Sequence, residues 1–397
     1  MTENRSISYW FWRSKLLLGL ALLFAGGIFF SPQDSAGDII FLASGNLLNI
    51  LRQVSITGIL AVGMTLVILT GGIDLAVGSL MAFAATLCAM LLTLEEAHNG
   101  SWIGGMTLGF VVAYLITIPV MAYIRRFLAE VYCQSLRVAG LLVAAYIGWQ
   151  YFNNLHNQAS LLAIILASIT ATALLGQISG QLIARGKLQP FIATLAMMVA
   201  ALGIARLMAG QDMSVFPIYS GINSDENFEW LRKSIFGIPV PGFIFLLIVV
   251  SFTILLRHFR FGRYLYAIGG NERAAYLSGI PVAKVKVWVY TLSGALAGIA
   301  GVLYCAQYLQ GKPDAGTGME LDAIAAVVIG GANLMGGRGT VPGTLLGVLI
   351  FGVLSNVLQL NNVDSNTQLL LKGIIIVLAV LLQQFDWSKL KTRLKAS

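Results

Sequence analysis

The sequence predicts an all-α fold, a polytopic bundle of transmembrane helices, and two observations support this prediction. The 397 residues are 57% hydrophobic and only 11% charged, with a mean hydropathy of +0.82, whereas a water-soluble chain of this size needs far more charged surface. The apolar residues also occur in runs that are long enough to cross about 30 Å of hydrocarbon as helices. A soluble globular protein is therefore excluded.

About twelve apolar runs are candidate spans, so we expect roughly 10–12 crossings in a single transmembrane domain over residues 1–397. The first run follows a basic N-terminal segment without a convincing cleavage site and is predicted to be an uncleaved span. Two runs within residues 101–152 form a candidate extra helix pair. The runs lie near residues 16–30, 54–70, 75–94, 101–124, 137–152, 160–184, 190–210, 239–256, 285–306, 320–335, 341–360 and 366–384.

The distribution of charge predicts the orientation of the chain in the membrane. If the N-terminus is cytoplasmic, most of the 25 Lys and Arg residues fall in loops on the cytoplasmic side, as the positive-inside rule requires. Acidic residues prevail in the outer loops. The longest of these, residues 211–238, carries aromatic side chains that either sit among lipid headgroups or receive an external partner. We therefore predict that both termini are cytoplasmic. The net charge of +8 then reflects the basic residues that orient the chain in the membrane, and it does not indicate nucleic-acid binding.

The sequence carries no signature of an enzyme, a metal site or a bound cofactor. Cys88, Cys133 and Cys305 lie far apart without a CxxC spacing, and the three histidines are scattered, so neither a disulfide nor a metal centre is expected. No nucleophile, base and orienting residue occur in a recognisable spacing. An ATP-hydrolysing domain needs on the order of a hundred residues or more, and no loop between the spans offers them. Any ATP-driven work requires a separate chain.

Two glycine clusters imitate nucleotide-binding motifs. Residues 180–188, GQLIARGKL, have one residue too many for a phosphate loop and no Ser or Thr after the lysine. Residues 336–343, GGRGTVPG, place a proline where the dinucleotide fingerprint has its last glycine. Neither is predicted to bind nucleotide. Glycines four residues apart on apolar helices indicate close helix packing instead, and they are Gly294 with Gly298 and Gly343 with Gly347.

Residues 257–284 lie between two predicted spans and contain the signals of a short capped helix. Asn271 is a favourable N-cap, Glu272 suits the first turn, and Gly279 is placed to end the helix before Pro281. We expect a positive φ at Gly279. A helix of about two turns is not stable alone in water. The segment is therefore either a docking element that a partner completes or a solvated loop that only orients the spans.

Several polar residues lie in or beside the apolar runs, where burial is unfavourable unless they face water, protein or backbone donors. Asp74 follows a glycine pair, and it either lines a cavity at a broken helix or caps the next helix in a tight turn. Glu320 and Asp322 are predicted to open a helix at the outer side, where acids complement the helix dipole. Arg206 either snorkels or pairs with one of these acids, whereas Lys372 lies deeper in its span.

A second polar group lies just outside the second predicted span and consists of Asn46, Asn49, Arg52 and Gln53. Their spacing places them on one helical face. They either line the path of a polar solute or belong to an interfacial helix that faces lipid headgroups.

Five sequence blocks occur together in the order of one known family. They are NLLNILRQVSITGILAVGMTLVILTGGIDLAVGS at 46–79, LIARGKLQPFIATLAMM at 182–198, FGRYLYAIGGNERAAYLSGI at 261–280, ELDAIAAVVIGGANLMGGRGTVPGTLLGVL at 320–349 and LKGIIIVLAVLL at 371–382. With these blocks the chain resembles the membrane permease subunit of bacterial ABC importers for monosaccharides, which serve ribose, xylose, arabinose and galactose. Members of that family usually resemble ten-span proteins, so the surplus spans fall within 101–152.

The resemblance implies the ABC importer permease fold and import of a pentose or hexose across the bacterial inner membrane. It implies a homodimer surrounded by membrane lipid. A periplasmic or extracytoplasmic substrate-binding protein would deliver the solute, and a separate cytoplasmic ABC ATPase would drive import, so the chain itself is not an enzyme. Relatives of this kind also carry nucleosides or inositol, and an ion-coupled secondary transporter is a less favoured alternative.

In that family the segment that matches residues 257–284 is the cytoplasmic coupling loop, which transmits the motion of the ATPase. The residues expected to carry the coupling are Gly269, Gly270, Asn271, Ala274, Ala275, Leu277 and Gly279. The residues of the second set, candidates for the translocation pathway, are Asn49, Arg52, Gln53, Asp74, Arg206, Glu320, Asp322 and Lys372.

Overall fold

The computed structural model describes residues 4–93, 161–210, 215–219 and 226–384. The candidate extra helix pair at 101–152 lies outside these residues, and so does Cys133. The described α-helices are α1 (Asn4–Phe29), α2 (Ser44–Leu69), α3 (Val77–Leu92), α4 (Leu161–Ala184), α5 (Pro190–Ala209), α6 (Glu226–Trp230), α7 (Val240–His258), α8 (Arg260–Gly270), α9 (Glu272–Leu277), α10 (Val282–Tyr308), α11 (Met319–Ile329), α12 (Val341–Leu360) and α13 (Ser365–Gln384).

Four strands of two residues each, within the described part of the chain, complete the structure. β1 (Phe216–Pro217) pairs antiparallel with β4 (Gln310–Gly311). β2 (Ser234–Ile235) forms a hairpin with β3 (Ile238–Pro239), whose turn has positive φ at Phe236 and Gly237. Strands this short only fasten loops, so the architecture is helical.

Six of the described helices are long and apolar enough to cross a membrane. They are α2, residues 164–184 of α4, α5, α7, α10 and α12. An α-helix rises 1.5 Å per residue, so about twenty apolar residues are needed to cross the hydrocarbon. The predicted all-α polytopic membrane fold is therefore confirmed. The second span is longer than predicted, because α2 begins at Ser44 and contains the polar residues around Asn49 and Arg52 as its first turns.

The predicted span at 320–335 is wrong. α11 has only 11 residues, about 16 Å of helix, which is too short to cross the membrane. The helix ends at Ile329, and Gly331 follows with a φ of 90°. A hydropathy window averages over such a break because glycine is not strongly polar. α12 then starts where predicted, with Thr340 as N-cap, whose Oγ1 accepts a hydrogen bond from the Gly343 amide at 3.1 Å.

The described chain divides into two compact units. The first comprises residues 1–73, 244–282 and 321–397, and the second comprises residues 74–243 and 283–320. In the first unit, α2 packs against α12, and α12 also packs against α1. In the second unit, α3 packs against α4 and α5.

Close approach of helices at the predicted glycine pairs is confirmed within each unit. In the second unit, a Cβ at Gly294 would overlap the Thr172 carbonyl, and one at Gly298 would lie 2.7 Å from the Ile169 Cα. In the first unit, a Cβ at Gly343 would overlap the carbonyl of Gly330. A Cβ at Gly347 would likewise overlap the Ala326 carbonyl. Small residues thus allow these backbones to touch.

Two polar contacts join α2 to α12 in the first unit. Asn46 and Asn356 exchange two side-chain hydrogen bonds, with Nδ2–Oδ1 distances of 3.1 and 2.7 Å. Nearer the other end, the hydroxyl oxygens of Thr65 and Thr344 lie 2.7 Å apart. Paired polar groups on facing helices fix their register, because any slip would leave them without partners.

Candidate functional site

The 257–284 segment forms two short helices, α8 and α9, and the predicted capping of α9 is confirmed. The backbone of Asn271 is extended, and its Oδ1 accepts a hydrogen bond from the Ala274 amide at 2.9 Å. At the other end, Gly279 has a φ of 82°. The Ile280 amide donates to the Ala275 carbonyl at 3.1 Å. Both ends of α9 are thus closed by local hydrogen bonds.

The side chains of α9 divide into one buried residue and an exposed surface. Ala275 is buried, whereas Ala274 is exposed. Tyr276 and Leu277 are 68% and 73% exposed. Two adjacent large apolar side chains so open to solvent indicate a contact surface. Tyr276 was not predicted as part of this surface. Its position beside Leu277 in the sequence was the available signal.

α8 is held differently, because it packs against the rest of the first unit. Leu265 and Ile268 are fully buried, and the Tyr266 hydroxyl donates to the Gly339 carbonyl at 2.8 Å. Gly269 touches backbone, since a Cβ there would overlap the Leu69 carbonyl and the Gly337 amide. The neighbouring Gly270 has open space around it. The two glycines predicted to act together therefore have different surroundings.

Asp74 lies in the turn between α2 and α3, and its surroundings match the tight-turn interpretation. Its Oδ1 accepts a hydrogen bond from the Ala76 amide at 3.0 Å, just before α3 begins. Its Oδ2 accepts one from the Ser293 hydroxyl at 2.8 Å. The residue is only 1% exposed. A serine within an apolar helix was the signal for this partner, and sequence reasoning missed it.

Asp322 and Lys372 form an ion pair in the first unit. The Lys372 Nζ lies 2.9 and 3.1 Å from the two carboxylate oxygens of Asp322, and 5.3 Å from the centre of the Phe351 ring. The two side chains are about one-fifth exposed. A carboxylate and an aromatic face thus compensate the ammonium that the sequence placed deep in a span.

Of the two alternatives for Arg206, the one in which it pairs with Glu320 or Asp322 is wrong. Arg206 instead contacts Asp314, with Nη2 and Nε at 2.9 and 3.2 Å from Oδ1. Both side chains are more than one-third exposed. Asp314 lies in the loop between β4 and α11, and sequence spacing gave no indication that it lies beside Arg206 of α5.

Glu320 lies in the first turn of α11, as predicted. Its carboxylate reaches the start of α3, where a Cβ at Gly78 would overlap the Glu320 Oε2 and the Gly316 carbonyl. Gly78 therefore makes room for this acid within the second unit, and a Cβ at Gly316 would overlap the Gly78 carbonyl.

The first turns of α2 expose a polar patch. The Arg52 Nη1 donates to the Asn49 Oδ1 at 3.0 Å. Asn49 and Gln53 are exposed. The Arg52 Nε is buried and has no hydrogen-bond partner among the residues that the structure describes. Within that same part of the chain, no three His, Cys, Asp or Glu side chains are grouped so that they could hold a metal ion.

Comparison with known proteins gives concordant results. The profile of the family described as branched-chain amino acid transport system / permease component matches residues 46–132 and 137–380. The ribose import permease of Escherichia coli K12 is 35% identical over 374 residues, covering 94% of each chain. That of Bacillus subtilis 168 is 40% identical over 345 residues, covering 87% of this chain and 86% of the relative.

The xylose transport system permease of Haemophilus influenzae Rd is 32% identical over 374 residues, covering 92% of this chain and 94% of the relative. These similarities extend over nearly the whole chain and confirm the resemblance to permeases of monosaccharide importers. The chain is a multi-pass membrane transport protein and belongs to the family of branched-chain amino acid transport system permease components.

Proposed function

We propose that this chain is the permease subunit of an ABC importer that moves a monosaccharide, most simply a pentose, into the cytoplasm. The supporting observation is the similarity over 94% of the chain to a permease named for ribose import. A permease named for xylose transport matches over a similar length. Ribose and xylose are both pentoses, which is why a pentose is the simplest choice of solute.

We assign the first contact with the solute to the polar patch of α2, formed by Asn49, Arg52 and Gln53. A sugar loses hydrogen bonds to water when it enters a membrane protein, and polar side chains must replace them. The exposed Asn49 and Gln53 side chains offer donors and acceptors, and the Arg52 guanidinium lies beside Asn49, to which its Nη1 donates at 3.0 Å. Asp322 and Lys372 are second candidates, because their pair is partly exposed.

The remaining three pathway candidates have contacts that favour structural roles. Both oxygens of Asp74 are hydrogen-bonded in a buried turn. Arg206 pairs with an exposed aspartate, and Glu320 fills the space that Gly78 leaves. We therefore expect substitutions of the α2 patch to change solute affinity more than substitutions at these three positions.

The proposal includes partners on both sides of the membrane. A cytoplasmic ATPase pair would bind the exposed face of α9, where Tyr276 and Leu277 supply apolar area. A substrate-binding protein would deliver solute on the outer side to a permease homodimer in the bacterial inner membrane. Basic residues lie before α8 at Arg257, at its first position, Arg260, and after α9 at Lys284, which supports a cytoplasmic segment and cytoplasmic termini.

A second solute class follows from the family description, which names branched-chain amino acids. Such a solute carries a carboxylate and an ammonium, so it would favour a charged site over a hydroxyl-binding one. Asp322 and Lys372 are the charged pair suited to it. An ion-coupled transporter is distinguished from both by its energy source.

Reconstitution in proteoliposomes tests the proposal. The permease would be combined with the ATPase and binding protein encoded beside it, and uptake of labelled ribose, xylose, galactose and leucine measured with and without ATP. We expect ATP-dependent pentose uptake that persists when ionophores collapse ion gradients. Uptake of leucine but of no sugar would show that the solute is an amino acid and not a monosaccharide. Loss of uptake when ionophores are added in the presence of ATP would contradict an ATP-driven importer.

A further inference from the structure

The α2 patch lies between two points at which α2 is fastened to α12 within the first unit. The first point is the amide pair of Asn46 and Asn356, about one turn before the patch. The second point is Val54, the residue directly after the patch, which contacts Gly352. The position of the patch therefore depends on how α12 holds α2 at these two points.

The amide pair is closed by hydrogen bonds on both sides. The Asn46 Nδ2 donates to the Asn356 Oδ1 at 3.1 Å, and the Asn356 Nδ2 donates to the Asn46 Oδ1 at 2.7 Å. The Asn46 Nδ2 also donates to the Phe41 carbonyl at 3.0 Å. Each side chain uses its amide nitrogen and its amide oxygen, so a rotation of α2 would break bonds that have no replacement in apolar surroundings.

The segment that leads into α2 is fixed as well. Phe41 is fully buried, and its ring meets the Phe24 ring of α1 edge-on, with 5.0 Å between the ring centres. A Cβ at Gly27 of α1 would lie 2.7 Å from the same ring, so α1 passes close to Phe41. Asn46 thus connects Asn356 of α12 to a chain segment that α1 holds in place.

Gly352 fastens α2 on the other side of the patch. A Cβ at this position would lie 2.2 Å from the Val54 Cγ2, so α12 approaches α2 this closely because Gly352 has no side chain. Gly352 and Asn356 are four residues apart in the sequence and therefore lie on one face of α12. This single face holds α2 both before and after the patch.

Burial of Asn356 needs a reason beyond packing. The residue is 6% exposed in a helix that is apolar and long enough to cross the membrane. An amide there is unfavourable unless it is hydrogen-bonded, and two apolar side chains would pack without that requirement. The amide pair adds orientation, because both of its hydrogen bonds form in only one register and rotation of α2. That rotation determines the direction in which the patch faces.

We propose that Asn356 is a positioning residue for solute transport. It acts through Asn46 and holds the first turns of α2 so that Asn49, Arg52 and Gln53 present their polar groups to the solute. This inference rests on the proposed function, because it assumes that the α2 patch makes the first contact with the solute. Asn356 itself is buried and contacts Asn46, so it does not bind the solute. Loss of the amide pair should weaken solute binding and leave folding and ATP hydrolysis intact.

The test separates KM from kcat for uptake of labelled ribose by proteoliposomes of the complete transporter, with the amount of binding protein held constant. Asn356→Leu removes both hydrogen bonds of the amide pair. We expect it to raise KM about tenfold, the equivalent of two interhelical hydrogen bonds, with kcat nearly unchanged. A purely structural role would instead reduce the amount of active transporter, which lowers kcat and leaves KM as it was.

Asn356→Asp gives the same test a pH profile. A protonated carboxyl has one donor and one acceptor and can replace the amide in both hydrogen bonds, whereas an ionised carboxylate only accepts. We compare the KM of this variant with that of the unmodified transporter at the same pH. We expect it to be nearly normal at acid pH and to rise about threefold as the carboxyl ionises, the equivalent of one lost interhelical hydrogen bond. A KM that stays as high as that of Asn356→Leu at acid pH would contradict the positioning role.

Asn361→Leu is the matched control, because Asn361 is an exposed residue at the end of α12 whose amide donates to the Val357 carbonyl at 2.8 Å. Equal KM values for Asn356→Leu and this control would overturn the inference. If Asn356→Leu does not fold, Asn356→Gln replaces it. Its extra methylene displaces the amide relative to Asn46, and an unchanged KM would again overturn the inference. Absence of ATP-driven uptake of any tested sugar by the unmodified transporter would instead refute the proposed function, so the two failures are distinguishable.

Discussion

The adjacent helices α8 and α9 belong to one segment of the chain but are held by different contacts. α8 is fixed to its own unit by buried Leu265 and Ile268 and by backbone contact at Gly269. α9 packs against α8, buries Ala275, and is closed at its two ends by the caps at Asn271 and Gly279. A six-residue helix with so little packing has almost no intrinsic stability.

The difference indicates that the two helices of the 257–284 segment have separate roles, α8 within the permease and α9 at its surface. α8 has contacts that are complete within the chain, so substitutions there should act through the permease itself. α9 presents Tyr276 and Leu277 to solvent, so substitutions on its surface should act through a partner. Both helices belong to one continuous segment, which lets a force on the second reach the first.

The largest effect is expected from a charge on the exposed face of α9. Leu277→Asp places a carboxylate where the proposed ATPase contact requires apolar area, and residues at the centre of an interface cost about 2 kcal/mol or more when lost, roughly thirtyfold in Kd. Titration of the ATPase against detergent-solubilised permease measures this change. The permease alone should keep its thermal stability.

Phe236→Ser is the matched control for that variant. Phe236 is 96% exposed in the β2–β3 hairpin, on the side predicted to be external, and its loss should leave ATPase affinity unchanged. If both variants weakened the ATPase equally, the assignment of the contact surface to α9 would be wrong.

An intermediate effect is expected from the end of α9. Gly279→Val forces a β-branched residue into a φ of 82°, and such a conformation costs L-residues roughly 1–2 kcal/mol or more. The strain should unwind the last turn and lower both ATPase affinity and transport per ATP. Gly279→Asn is the control, since asparagine tolerates a positive φ. Equal behaviour of the two variants would show that the backbone conformation at this position does not matter.

The same contrast explains how much of the molecule could be predicted from sequence. The caps of α9 depend on neighbouring residues, such as Asn271 with Ala274, and local signals identified them. The start of α12 was placed correctly by its apolar run, although its Thr340 cap was not predicted. The span at 320–335 was predicted wrongly because hydropathy does not register a break at Gly330 and Gly331.

Partners that are distant in sequence could not be predicted from a single chain. The sequence around Gly269 does not indicate that Leu69 and Gly337 lie next to it in the fold. The GGRG run at 336–339 was only excluded as part of a nucleotide-binding motif. The partner of Arg206 was not identified for the same reason, because Asp314, Glu320 and Asp322 lie close together in the sequence, and only Glu320 and Asp322 were considered. Tertiary packing decides which of these acids lies beside Arg206, and the spacing of charges along the sequence does not indicate it.

The smallest effect is expected from the N-cap, and it bears most directly on the difference between the two helices. Asn271→Ala removes the acceptor for the Ala274 amide, a loss of about 1 kcal/mol, or roughly fivefold in the population of the formed helix. ATPase affinity should fall by no more than that factor, while Asn271→Asp, which preserves the cap, should leave it nearly unchanged. Because α8 does not depend on this cap, transport per ATP should be retained once the ATPase is saturating. A persistent loss at saturating ATPase would mean that Asn271 also fixes the angle between α8 and α9, and the two helices would then act as one rigid body.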